Sequence, residues 1–123
     1  MFKKSIWISF AVFLVFAVGA HLAAPPEGFS GSVPKTAMAV VKKIKAGAKD
    51  WPFDKDGSVF QNREGKLPAD GKYLEYTVVS RKMAKALKEG NRPNRGKQRI
   101  VYDTKNKIFY YTDDHYKSFT RIR

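Results

Sequence analysis

The chain contains no cysteine at any of its 123 positions. That absence bounds the fold more tightly than any motif does. Disulfide frameworks, thiolate metal sites and cysteine nucleophiles are all excluded. A chain of this length must therefore be held together by a single hydrophobic core, which at this size is sufficient but not generous. The composition permits one: 43% of residues are hydrophobic and 14% aromatic, too many for a disordered basic tail. His21 and His115 are the only histidines, so a multi-histidine metal cluster is excluded and no cofactor is implied. The formal charge of +13, from 24 Lys and Arg against 11 Asp and Glu, points to a polyanionic partner, either nucleic acid or an anionic membrane surface.

The N-terminus has the three parts of a secretory signal peptide. Lys3 and Lys4 form a basic start, Ile6 to Ala20 runs apolar apart from Ser9 and Gly19, and small residues follow at Ala20, Ala23 and Ala24. The apolar run is about 15 residues, short of the roughly 20 that span a bilayer, so export with cleavage is expected over a retained anchor. Residues 1–20 are read as the signal, with cleavage as late as residue 23 as the alternative. Removing residues 1–20 takes away Lys3 and Lys4 and lowers the charge to +11. The mature protein is expected to be secreted or periplasmic, monomeric and free of stable membrane association.

Residues 21–32, rich in Pro, Gly and Ala, read as a flexible lead to a domain over 33–123. Pro34 sits where a first helical residue would. Ala37, Val40, Val41 and Ile44 then fall at i, i+3, i+4 and i+7, which predicts an amphipathic helix over about Pro34 to Ala46, stopped by Gly47. Its lysines, off that stripe, read as a solvated face. After the helix the period changes to two. Strands are expected at Ser58 to Gln61, Tyr73 to Ser80, Arg99 to Asp103, Lys107 to Thr112 and Ser118 to Ile122, with a hairpin turn at Thr104-Lys105-Asn106. Between Ser80 and Arg99, Lys82 to Lys88 reads as a short helix. The fold class is therefore α+β, with an N-terminal helix packed on a twisted antiparallel sheet. Alternation puts Leu74, Tyr76 and Val78 on the core side, and Tyr73, Glu75, Thr77 and Val79 on a face expected to be an open binding surface.

Taken singly, the polar candidates have ordinary readings. Glu75 could pair with a surface lysine, His115 could bond within its loop, and Arg95 and Arg99 could be exposed charge. Together they match the metal-free cleavage of RNA. That reaction needs a base for the 2′-hydroxyl, an acid for the departing 5′-oxygen and cations for the charge gathering on phosphorus. Carboxylate, imidazole and guanidinium supply those roles, and a histidine titrates near neutrality.

Four segments in order carry a resemblance. Val59-Phe60-Gln61-Asn62-Arg63-Glu64-Gly65-Lys66-Leu67-Pro68 resembles the guanine-recognition segment of the microbial guanyl-specific ribonucleases. Leu74-Glu75-Tyr76-Thr77-Val78, the Arg95 and Arg99 pair, and Thr112 to Arg123 follow in that family's order, the last resembling the end of its barnase branch. The resemblance covers Val33 to Arg123. It implies the microbial ribonuclease fold and an endoribonuclease that cleaves single-stranded RNA after guanine. In it Glu75 is the general base and His115 the general acid, their roles reversing as water opens a 2′,3′-cyclic phosphate. Arg95 and Arg99 bind phosphate, a task suited to a planar, permanently charged guanidinium, and Tyr116 donates its hydroxyl to the same group.

The resemblance also implies that Glu64 accepts from guanine N1–H and the 2-amino group, while backbone N–H groups around Gln61, Asn62 and Arg63 meet O6. Phe60 is either a stacking surface for the base or packing beneath the loop, and Arg63 is either a contact or a scaffold that pairs locally with a carboxylate. RNA is the expected substrate, and a barstar-like acidic inhibitor is an expected partner. Two departures stand out. No lysine aligns with the catalytic lysine of the barnase branch, and the Arg81 to Asn94 segment is longer than its usual counterpart. Its basic residues could be a solvated loop or added phosphate subsites. The reading from a different class is a cationic RNA-binding or antimicrobial protein that needs charge alone, and a ribonuclease toxin is a third.

Overall fold

The computed structural model describes residues 33–123; the expected signal peptide and the expected lead lie outside the described residues. The order is α1 (Lys35–Lys45), β1 (Ser58–Phe60), β2 (Tyr73–Thr77), α2 (Arg81–Lys88), β3 (Arg99–Asp103), β4 (Ile108–Thr112) and β5 (Thr120–Ile122). The five strands form one antiparallel sheet in the order β1-β2-β3-β4-β5, each paired with its neighbour in sequence. This is the expected α+β plan.

The apolar stripe of α1 packs as its spacing predicts. Ala37, Val40 and Val41 are buried against Tyr76, Val78, Ile100, Phe109 and Tyr111 of the sheet. Trp51 closes the edge of this layer, its ring 4.6 Å from that of Tyr76 and its indole N–H donating to the Ala48 carbonyl. Two α1 lysines are not simply solvated. The Lys43 ammonium lies 4.5 Å over the Trp51 ring and donates to the Asp50 carbonyl, while Lys45 lies 5.6 Å over Phe109. Both arrangements bury the stem and keep the charge at the rim.

The opposite sheet face is only half open, contrary to the sequence expectation. Tyr73, Val101 and Tyr110 on that face are covered by Leu67 and Phe119, which come from loops and form a second buried cluster. The open part is the end that carries Glu75, Thr77 and Arg99. Alternation assigned the faces correctly, but it cannot show which loops fold back over them.

Several strand ends fall short of expectation, and each has a local cause. β5 begins at Thr120 and not at Ser118, because the Asp114 carboxylate takes the Ser118 backbone N–H. Lys107 leaves β4 for the turn by adopting φ +60°. Asp103 holds that turn, its carboxylate accepting from the Lys105 and Asn106 N–H groups and from Lys72 across the sheet. β2 stops at Thr77, and Ser80 caps α2 by accepting from the Met83 N–H at 3.2 Å, which starts that helix one residue early.

Ile100 is fully buried between α1 and the sheet. Ile100→Ala should lower stability by about 2–5 kcal/mol through lost burial and a residual cavity, as read from the urea midpoint of the purified domain.

Candidate active site

The site forms where the open end of β2 and β3 meets the loop between β4 and β5. Pairing places Thr77 opposite Arg99 and Glu75 opposite Val101, so Glu75, Thr77 and Arg99 share one face. Arg95 reaches back from the loop before β3. Its Nη2 donates to Glu75 Oε1 at 2.6 Å and its Nε to the Thr77 hydroxyl at 2.7 Å. Arg99 is almost fully buried, with its Nη1 taken up by the carbonyls of Gln98, Gly96 and Arg95. Its Nε points inward, 3.7 Å from Glu75 Oε1 and donating to the Tyr116 hydroxyl at 3.1 Å. The Glu75 carboxylate therefore stands between two guanidinium groups and beside a phenol.

His115 and Tyr116 arrive through an unusual turn. Both adopt left-handed backbone, at φ +58° and +73°, a conformation that non-glycine residues hold only when the surroundings over-determine it. Here the surroundings do. The Thr112 hydroxyl donates to Asp114 at 2.8 Å and accepts from the Tyr116 N–H at 3.1 Å. The His115 N–H donates to the Lys97 carbonyl at 3.1 Å, fixing the loop to the segment just after Arg95. Asp114 additionally accepts from the Ser118 hydroxyl at 2.6 Å. Burial opposes ionisation of Asp114, but the hydrogen bonds from Ser118, Thr112 and Lys117 outweigh it and pull the carboxyl down to about 2. For Tyr116, burial and the neighbouring Glu75 charge push the phenol up to about 12 against the pull of Arg99. The phenol thus keeps a proton to donate.

Beside this cluster lies an open cavity of about 450 Å³. Phe60, Gln61, Asn62, Arg63 and Glu64 line it together with His115 and Tyr116, so the segment expected to recognise the base and the residue expected to carry the proton share one space. Lys66 and Phe119 also line it, which sequence reasoning did not single out. Phe60 packs beneath the loop and also lines the cavity. Its ring stacks on Tyr116 at 4.9 Å, meets Phe119 edge-on at 5.9 Å, and still faces the cavity. The Asn62 side chain is turned inward, donating to the Leu67 carbonyl at 2.9 Å and accepting from its N–H at 3.1 Å. With φ +54° at Asn62 and a turn closed from Gly65 N–H to the Asn62 carbonyl, the side chain shapes the loop. The backbone N–H groups of Asn62, Arg63 and Glu64 have no acceptor among the described residues. Arg63 makes no ion pair among them either, so the local carboxylate partner weighed for it is not present there.

One residue of the network was missed. The Asp56 side chain is fully buried; its Oδ1 accepts from the Thr77 N–H and hydroxyl, both at 2.7 Å, and lies 3.5 Å from Arg95 Nη2. Its other oxygen accepts from the Phe53 N–H at 3.1 Å. In the sequence Asp56 reads as half of an Asp-Gly turn, and nothing local marks its partners 21 and 39 positions away.

The comparisons with known proteins converge on this arrangement. A family model described as ribonuclease matches residues 25–123. Guanyl-specific ribonuclease St of Saccharopolyspora erythraea is 39% identical over 89 residues, covering 71% of this chain and 77% of the relative. The chain belongs to the guanyl-specific ribonuclease family. Guanyl-specific ribonuclease Sa3 of Kitasatospora aureofaciens is 40% identical over 93 residues, 74% of this chain, and the chain spans 59% of that relative's length. The crystal structure of ribonuclease Sa2 with guanosine-2′-cyclophosphate superposes with a TM-score of 0.59 at 31% identity, covering 75% of this chain and 88% of the other. The fold is the microbial ribonuclease fold, and members of the family are RNA-cleaving enzymes.

Two predictions follow from the geometry. Asp56→Ala leaves the Thr77 N–H and hydroxyl without their buried acceptor, and should cost about 3 kcal/mol of stability, with Asp56→Asn recovering part of it in the same urea titration. The folded value of Asp114 lies below its ordinary 3.8, so its ionised form stabilises the fold above that pH, and the contribution disappears as pH falls towards 2. Asp114→Asn should therefore be destabilised at neutral pH, and the gap from the parent protein should close progressively below pH 3.8, measured by denaturation across pH.

Proposed function

We propose that the domain is an exported, guanine-preferring endoribonuclease that cleaves single-stranded RNA by transesterification and then hydrolyses the cyclic product. The observation that carries this reading is the contact chain from the cavity to the charge cluster. Tyr116 stacks on Phe60 at 4.9 Å on one side and accepts from Arg99 at 3.1 Å on the other. A nucleotide whose base enters the cavity thereby brings its 3′-phosphate to Glu75, Arg95, Arg99 and His115. The crystallised complexes of ribonuclease Sa2 with guanosine-2′-cyclophosphate and with mononucleotides support this assignment of the space.

In the first step Glu75 takes the proton of the 2′-hydroxyl, whose oxygen attacks phosphorus. The bond to the 5′-oxygen breaks, and His115 gives that oxygen its proton. The product is a 2′,3′-cyclic phosphate. In the second step His115 takes a proton from water, whose oxygen bonds to phosphorus as the P–O2′ bond breaks, and Glu75 returns a proton to the 2′-oxygen, leaving a 3′-phosphate. Arg95, Arg99 and the Tyr116 hydroxyl donate to the phosphoryl oxygens as charge gathers there. They are already placed before substrate arrives, so little reorganisation accompanies the reaction.

Base choice falls to Glu64 and the loop around it. A carboxylate facing the N1–H and 2-amino edge of guanine meets two donors, while adenine presents no such pair. The open N–H groups of Asn62, Arg63 and Glu64 offer donors to O6. Such edge recognition requires an unpaired base, which is why single strands are the substrate.

Purified protein should cleave GpN dinucleotides in EDTA far faster than ApN, and a defined RNA should end in 2′,3′-cyclic phosphate after G. Glu64→Ala should reduce the preference for G over A by about 10–100-fold, the worth of one bidentate base contact. Glu75→Gln should lower kcat by about 10²–10⁴-fold. Cleavage lost on chelation would remove the metal-free mechanism. Toxicity or RNA effects undiminished in His115→Ala would instead support a cationic protein acting by charge alone.

A further inference from the structure

The segment between β2 and Arg95 carries a helix that the core does not need. No residue of α2 is fully buried, and its sequence RKMAKALK holds four cations and no acid. Arg81 and Lys82 occupy its first turn, where the helix dipole disfavours positive charge. Helical periodicity puts Arg81, Lys85 and Lys88 within roughly 60° of one another, with Lys82 beside them. All four are exposed, as is Arg92 beyond the helix. Lys85 pairs with Glu89 at 2.7 Å; Arg81, Lys82, Lys88 and Arg92 have no ion pair among the described residues. The helix thus holds a cluster of like charges at some cost to itself and contributes little burial in return.

Its position gives that cluster a use. Met83, on the opposite face, sets its methyl 2.9 Å from where a Cβ on Gly96 would stand, and Gly96 adopts φ +70°. That left-handed backbone favours glycine here. α2 therefore rests on the turn that sends Arg95 to Glu75 and whose Lys97 carbonyl accepts the His115 N–H. By contact the order runs from the base cavity to Tyr116 and Arg99, then to Arg95 and His115, then to Gly96, and last to α2.

Resting on the function proposed above, we propose that α2 and Arg92 form a phosphate-binding ridge for the RNA strand on the 3′ side of the scissile bond. The guanosine in the cavity lies on the 5′ side of that bond. His115 is tied through the Lys97 carbonyl to the turn on which Met83 of α2 rests, so a strand that continues past His115 runs beside that turn. A row of exposed cations, of which Lys85 alone is paired, matches a row of phosphates. The ridge touches no reacting atom, so it adds affinity for long substrates and leaves the chemistry unchanged.

The test compares the parent protein with a variant carrying Arg81→Gln, Lys82→Gln, Lys85→Gln and Lys88→Gln, which keeps good helix formers throughout. Substrates are GpN, a single-G oligonucleotide extended on its 3′ side, and one extended equally on its 5′ side. Expected is a rise in kcat/KM with 3′ extension for the parent, mostly lost in the variant, with equal rates on GpN. For about three phosphate contacts, the parent's 3′ gain should fall roughly 20-fold between about 50 and about 200 mM salt. Lys88→Glu should act in the same direction to a smaller extent, and it serves if the fourfold variant does not fold. A 3′ gain retained in either folded variant overturns the proposal. So does a parallel loss on GpN, which would make the helix a support for Arg95, or a loss confined to sedimentation with anionic lipid vesicles. If the parent cleaves no GpN, the proposed function fails by itself. The ridge is then read from binding of oligonucleotides with 2′-deoxyguanosine at the single G, where equal affinity for 3′-extended and unextended forms overturns it.

Discussion

Arg95 is held by three oxygens from two parts of the chain, Asp56 before β1 and Glu75 and Thr77 of β2, and the working end of the sheet depends on that grip. Asp56 before β1 fixes Thr77 at the end of β2. Thr77 then accepts from Arg95 Nε, and Glu75 takes Arg95 Nη2 at 2.6 Å. Each group satisfies a polar neighbour that would otherwise be stranded beneath the sheet edge. Arg99 is secured differently, by carbonyls of its own approach segment. Two guanidinium groups are thus fixed by independent means around one carboxylate. Loss of one grip need not release the other.

The two faces of the sheet divide the labour. The face against α1 is apolar and buries Ile100 and Val78 completely. The other face is sealed at one end by Leu67 and Phe119 and carries the polar groups at the other, so these sit against a buried apolar floor made by Val101 and Tyr110. The burial of most of Glu75 and nearly all of Arg99 follows from this placement. They are what let a few charges act at short range in an otherwise very basic molecule.

Much of this was legible in the sequence. The helix and all five strands show in their periods, because burial on one face writes a repeat of 3.6 or 2. Glu75 was placed on the correct face for the same reason. The residues brought together at the site were named through resemblance, since Glu75, Arg95, Arg99 and His115 are too far apart in the chain for spacing to relate them. Three features left no local signal. Asp56 works through partners in β2 and the following loop. Asn62 faces Leu67 although its neighbours Arg63 and Glu64 face the cavity. His115 and Tyr116 take a glycine-like backbone without being glycine, which only the Thr112 and Asp114 bonds account for.

The strand order has a consequence in time. Because the sheet is a meander, each strand pairs with the one before it, and β1 to β3 can assemble before the C-terminal residues exist. The proposed base and both arginines belong to that earlier part. The proposed acid does not: His115 and Tyr116 lie within the last nine residues, on a turn held by Thr112 and Asp114. A chain still being made can therefore own its cationic cradle and its base while lacking the group that completes a turnover.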